Sequence, residues 1–258
     1  VHAGVVLAGG RSSRMGTAKA LLEWHGSTLL RRVVGIVHRA VDGPVIVVAA
    51  AGQPLPALPP GVAIEEDPEP ERGPVLALAT GLARAAARDA SAAFVCATDL
   101  PFLHPAFVAT VLRALDGSGA DVAVPELAGH PQPLAAAYRT SVALILGDMV
   151  REREWRLRAL FDRCRALPLT APALLADPRL AVPDPELASV TNLNTPDDYA
   201  AARSVPPPAV TVVAAGRRRT VRAATVGAAA AAARLPVPAG RDPEEPLVGG
   251  DELDLNRS

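Results

Sequence analysis

AGVVLAGGRSSRMGTAKALL, residues 3–22, is the stretch that decides the fold. Its first six residues form a short apolar run, as a buried strand requires, and Gly9 and Gly10 open a loop directly after it. That loop holds three glycines, two serines and a threonine. Successive backbone N–H groups in such a loop point inward and hold phosphate oxygens. Arg11, Arg14 and Lys19 place positive charge around the cradle. The spacing is neither G-x-x-x-x-G-K-[ST] nor G-x-G-x-x-G, so neither a P-loop ATPase nor a dinucleotide-binding dehydrogenase is indicated. The competing reading is a glycine-rich turn with surface arginines, but it leaves the lysine unexplained. Of 26 basic residues, Lys19 alone is lysine, and chance puts it at a given basic position about once in twenty-six. In a chain so biased towards arginine, a retained lysine points to a task that guanidinium cannot do.

Working outward, residues 28–41 have helical apolar spacing behind a Ser/Thr cap. Residues 44–50 (PVIVVAA) and 62–65 read as strands, and 74–88 as an alanine-rich helix after the loop DPEPERG. A strand at 92–97 runs into Thr98-Asp99; a helix follows at 105–115 and a strand at 121–124. Residues 134–138 then read as a strand, with helices at 141–150 and 155–163, while 168–185 carries no assignable pattern. VTNLNTP, residues 190–196, leads into a helix that Asp197 and Asp198 favour at its N-terminus. Apolar strands alternating with helices predict an α/β fold with a mainly parallel sheet. The run Pro206-Pro207-Pro208 continues neither a helix nor a central strand and sets a boundary, giving a domain over 1–205 and a linker with a small extension over 206–258. The extension reads as a hairpin with a Gly-containing turn and an alanine run. It faintly resembles a shortened ubiquitin-like sulfur-carrier domain, but it ends on Asn256-Arg257-Ser258 without the Gly-Gly such a carrier uses.

Composition narrows the function. Basic and acidic residues balance to a net charge of -1, which provides no basic field for nucleic acid and no polybasic patch for a membrane. Aromatic residues make up 3%, too few for base-stacking platforms. No apolar run approaches the roughly 20 residues of a membrane span, and no charged n-region or cleavage site marks a leader. Cys96 and Cys164 lack metal-ligand spacing and read as two buried, reduced thiols of a cytoplasmic protein.

Asp99, in FVCATDLP, sits at the carboxyl end of a predicted strand, where open α/β sheets bind ligands. A carboxylate there, beside a phosphate cradle, suits Mg²⁺, which binds through one or two carboxylates plus substrate phosphates. The alternative is an N-cap for the helix at Pro105. Asp67, in EEDPEPERGP, is a second acidic position at a strand end, with a merely solvated loop as its alternative. Gln132 is one of two glutamines, and Asn192 and Asn194 are two of three asparagines. Side-chain amides read flat heterocycles through paired donors and acceptors, although turn and cap chemistry also favours asparagine in NLNTPDD.

In order and spacing, LAGGRSSRMG with KALL, EDPEPERGP, ATDLPF, QPLAAAYR and NLNTPDDY resemble the molybdenum cofactor guanylyltransferase family over residues 3 to about 203. The resemblance implies a Rossmann-like nucleotidyltransferase domain, a three-layer sandwich that joins GMP from GTP to molybdenum-bearing molybdopterin and releases pyrophosphate. It implies nucleotide contacts at Leu7, Ala8, Gly9, Gly10, Lys19, Asp67 and Asp99, with Mg²⁺ on Asp99 and catalytic roles for Lys19, Arg14 and Asp99. Gln132, Asn192 and Asn194 fall on the acceptor side, and proteins of the cofactor pathway are the implied partners. Three positions depart from the pattern. Ala18 replaces an aspartate before the lysine, GPVLA (73–77) replaces Gly-Pro-Leu-Ala-Gly, and Ala50-Ala51-Gly52 replaces a polar residue after the second strand. The last two lie near the expected base pocket. Cytidylyl transfer to molybdopterin, nucleotidyl transfer to another small phosphate and a non-catalytic nucleotide-binding role are the alternatives.

Overall fold

The computed structural model describes residues 1–9 and 19–256. The main body runs β1 (His2–Leu7), β2 (Glu23–Trp24), β3 (Ser27–Thr28), α1 (Leu29–Ala40), β4 (Val45–Ala50), β5 (Ala63–Asp67), α2 (Pro74–Ala86), β6 (Ala92–Ala97) and α3 (Pro105–Asp116). It continues with β7 (Val122–Leu127), β8 (His130–Pro131), β9 (Ala135–Arg139), α4 (Val142–Arg151), β10 (Ala166–Thr170), α5 (Ala171–Leu175), α6 (Pro178–Ala181) and α7 (Pro196–Ser204). After the proline run come β11 (Ala209–Ala214), β12 (Arg217–Arg222), α8 (Val226–Ala233) and β13 (Glu252–Asp254).

Among the described residues, one sheet has the order β10-β7-β9-β6-β1-β4-β5, with β8 paired to β7. β1, β4 and β6 are buried almost throughout, as apolar runs covered on both faces must be. β5 is one edge, and its Glu65 and Glu66 place charge there. α1 and α3 pack with Val6, Val47 and Phe94 on one face of the sheet. α2 and α4 pack with Val5, Val48 and Tyr138 on the other, completing three layers. Each fully buried Val, Leu, Ile or Phe side chain contributes about 1.5–3 kcal/mol, so these two clusters dominate the favourable side of folding.

The predicted parallel sheet carries two exceptions: β9 runs antiparallel to both β6 and β7, and the two-residue β8 runs antiparallel to β7. The span left unassigned in the sequence, 168–185, holds the end of β10 with α5 and α6; β10 pairs in parallel with β7 and buries Leu169. The predicted helix at 155–163 is a 3-10 helix at Leu157–Asp162. Cys96 is buried as expected, whereas Cys164 is only half-buried; both are free thiols, and burial raises the Cys164 thiol to about 11. No helix of the described residues is long and apolar enough to cross a membrane.

From β1 the chain adds β4 and then β5 on one side, and β6 returns on the other side of β1. The winding direction therefore reverses between β1 and β6, and a crevice opens at the carboxyl ends of these strands. Register aligns those ends: Leu7 pairs with Ala97 and with Val48, and Ala50 with Asp67.

Candidate active site

Leu7, Ala8 and Gly9 leave β1 at the crevice. Ala8 N–H donates to Val48 O at 2.8 Å, and the buried Thr98 hydroxyl donates to Leu7 O at 3.2 Å, tying the exits of β1, β4 and β6 together. Gly10, Arg11, Arg14 and Ala18 lie outside the described residues. Lys19 begins a short 3-10 turn, and its Nζ donates to Asp99 Oδ2 at 2.7 Å across the mouth of the crevice. The rare lysine and the strand-end carboxylate thus meet. Asp99 does not cap the following helix; His104 does, accepting from Ala106 N–H at 3.1 Å.

Two cavities open beside β6 and share Ala97 and Leu134 as their common wall; Asp99 lines the larger of them. One, of about 190 Å³, is lined by Leu7, Gly9, Asp67, Gly73 and Pro74. Gly73 adopts φ +86°, a left-handed conformation that other residues rarely take, and Pro74 then starts α2. Asp67 is the last residue of β5 and only 2% exposed, not a solvated loop residue. Burial raises its pKa, partly opposed by the Glu69 N–H that it accepts at 3.0 Å.

The second cavity, of about 280 Å³, gathers Asp99, Gln132, Asn192 and Asn194 from three separate segments. Gln132 is fixed by its own N–H to Pro125 O at 2.8 Å. The segment carrying the asparagines is pinned where the buried Leu193 N–H donates to Asp99 O at 3.1 Å. Cap chemistry is present as well: Thr195 and Asp198 form a reciprocal capping box on α7, and Asp198 also accepts the Asn194 N–H. The backbone cap leaves the Asn192 and Asn194 side chains to line the cavity.

Gln53 is a site-shaping residue marked in the sequence only by its rarity. Its Nε2 donates to Ala8 O at 2.8 Å, and its Oε1 accepts from Ala50 N–H at 3.1 Å. The polar function missing at Ala50-Ala51-Gly52 thus arrives one residue later and braces the exit of β1.

A chain with a crevice at a sheet switch point and a lysine–carboxylate pair across its mouth has relatives among known proteins. A probable molybdenum cofactor guanylyltransferase of Mycobacterium tuberculosis is 42% identical over 167 residues, spanning 64% of this chain and 81% of the relative. Its counterpart in Mycobacterium avium is 38% identical over 172 residues, spanning 66% and 85%. The fold matches that of the molybdopterin-guanine dinucleotide biosynthesis protein A from Archaeoglobus fulgidus, with a TM-score of 0.61 at 22% identity over 79% of this chain and 97% of that one. The protein is an enzyme of the nucleotidyltransferase class. More narrowly, the chain belongs to the MobA-like NTP transferase domain family, whose profile matches residues 4–168.

Proposed function

We propose that this chain transfers GMP from GTP to the terminal phosphate of a molybdenum-bearing molybdopterin. An acceptor phosphate oxygen bonds to the α-phosphorus, the bond from that phosphorus to the bridging oxygen breaks, and pyrophosphate leaves. The observation that carries this reading is the Lys19–Asp99 pair, whose carboxylate lines the amide-lined cavity next to the Asp67 cavity. The names of the mycobacterial relatives support guanine and the pterin.

On this reading the nucleotide lies over Leu7, Ala8 and Gly9, with Gly10 and Arg14 adding to the phosphate cradle. Asp67, an acceptor in a dry pocket, takes hydrogen bonds from nucleotide donors. Lys19 has three donors, so it can hold Asp99 and a phosphate oxygen together and neutralise charge as the phosphorus is attacked. Gln132, Asn192 and Asn194 present amides to the flat pterin. Positioning and charge neutralisation supply most of the acceleration in such a displacement.

The donor set fits a hard divalent cation held mainly by substrate. Asp99 offers carboxylate oxygens, and no cluster of three metal-ligating side chains exists among the described residues. We assign Mg²⁺ to Asp99, where it would draw charge from the phosphate oxygens.

Pyrophosphate release, measured with molybdopterin, Mg²⁺ and either GTP or CTP, tests the proposal. Release with GTP is expected. Release with CTP alone would move the chain to the cytidylyl reaction, and release with neither would remove the catalytic assignment.

A further inference from the structure

The residues after the proline run bury a small cluster of their own, around Val210, Val212, Val226 and Leu253. They also seat on α1, on the side turned away from the sheet. A β-carbon at Gly35 would lie 2.6 Å from Pro246 Cδ, so only glycine admits the extension this closely. At one end of the contact, Arg39 holds Asp251 through two bonds of 2.7 and 2.8 Å and donates to Pro246 O at 2.8 Å. At the other end, Arg31 pairs with Asp242, and the Ser27 hydroxyl donates to Glu244.

Between these clamps lies Arg32, 6% exposed. Its Nε donates to Pro101 O at 2.6 Å, and its Nη1 donates to Ala224 O and Leu247 O at 3.3 Å each. Burial lowers its pKa to about 10, so it remains a cation at neutral pH. A buried cation needs dipoles around it. Two of the three carbonyls belong to the extension, and the third stands two residues past Asp99.

The loop carrying Asp99 is anchored on one side by Leu100 and Leu103, each 1% exposed. On its other side Phe102 and His104 line a cavity of about 260 Å³, walled also by the proline run and by Val248 and Gly249 of the extension. Packing therefore fixes one side of the loop, and Arg32, which borders the same cavity, tethers the other.

We infer that Arg32 is a positioning residue through which the C-terminal extension holds the Asp99 loop in register with Lys19. The inference rests on the role proposed for Asp99, and it concerns a segment beyond the family profile, which ends at residue 168.

Native-state hydrogen exchange on the 258-residue chain reads the loop without catalysis. The reporters are the Leu193 N–H, bonded to Asp99 O, and the Leu103 N–H, bonded to Leu100 O. Gly35→Ala pushes Pro246 away without altering Arg32 or any residue of the loop, and alanine is the better helix former, so α1 itself is not weakened. Arg32→Lys keeps the charge but loses the fork that reaches three carbonyls. In both variants these two amides are expected to exchange about tenfold faster or more, while the β11–β12 amides stay protected. In the same variants kcat for pyrophosphate release is expected to fall about tenfold or more, and half-saturating Mg²⁺ to rise, with KM for GTP unchanged. Wild-type exchange at Leu193 and Leu103 in both variants would overturn the inference. So would a loss of kcat with unaltered Mg²⁺ dependence, because that is a merely structural effect. If the wild-type protein releases no pyrophosphate from GTP, the guanylyl reading falls, and the exchange rates alone then decide whether Arg32 holds the loop.

Discussion

Asp67 and Asp99 stand at the same edge of the same sheet, and their surroundings give them different chemistry. Asp67 ends the edge strand β5, is 2% exposed, and accepts from a neutral backbone N–H. Asp99 lies two residues past the central strand β6, and its carboxylate, 14% exposed, is matched by the Lys19 ammonium. Desolvation disfavours the charge on the first, whereas the second has an ammonium within hydrogen-bond distance. A strand end thus supplies position only, and its neighbours decide whether a carboxylate sits desolvated beside a backbone N–H or paired with a cation.

The strongest way to break this contrast is Asp99→Ala. Loss of the charged ligand is expected to lower kcat by about three orders of magnitude, with the far-UV circular dichroism unchanged. Comparable turnover in the variant would reduce Asp99 to the status of a loop residue. Lys19→Arg comes next, with a fall of about a hundredfold, because a planar fork cannot replace a compact ammonium between carboxylate and phosphate. Rates near wild type would mean that charge alone, and not the shape of the group, is needed there.

The contrast itself was invisible in the sequence, although both carboxylates were legible. Central strands such as VIVVAA announce themselves because burial on both faces demands a continuous apolar run. β10, ALPLT, has no such run; it becomes a strand through its pairing with β7, which depends on residues more than forty positions away. The antiparallel insertion of β9 between β6 and β7 is likewise a matter of partner choice. At the site, rarity was the useful signal: one lysine, few amides. It brought out Lys19, Gln132, Asn192 and Asn194. Gln53 was equally rare but lay beside no recognisable motif. Arg32 had no chance of standing out among 25 arginines, since only its burial and its three carbonyl partners distinguish it.

Asp67→Asn sharpens the comparison through pH. Burial raises the folded-state pKa of Asp67 above its unfolded value, so its contribution to stability is fully present below the unfolded carboxylate pKa and is lost as pH rises through the folded one. Asparagine keeps an acceptor for the Glu69 N–H and carries no charge. The variant is therefore expected to melt a few degrees above wild type at pH 7, with the gap closing as pH falls through the carboxylate range. KM for GTP should rise by about tenfold, the cost of weakening one hydrogen bond to an ionised acceptor, while kcat changes little. Equal melting curves at all pH values would show that Asp67 is not desolvated, and its distinction from Asp99 would disappear.

The smallest expected effect lies on the other side of the Ala97–Leu134 wall. Asn192 is exposed, and its Nδ2 makes only a long bond of 3.4 Å to Val190 O, so Asn192→Ala should leave the melting temperature within experimental scatter. If its amide meets the acceptor, KM for molybdopterin should rise severalfold, in line with the loss of one net hydrogen bond of about 1 kcal/mol, with kcat and KM for GTP unchanged. Asn194→Ala is the matching probe, because its backbone N–H stays capped by Asp198 whatever the side chain. An increase confined to the acceptor KM in both variants would assign this cavity to the pterin and the Asp67 cavity to the nucleotide. An increase in the GTP KM would put the nucleotide on the amide-lined side, and the two carboxylates would then have to exchange the roles given to them here.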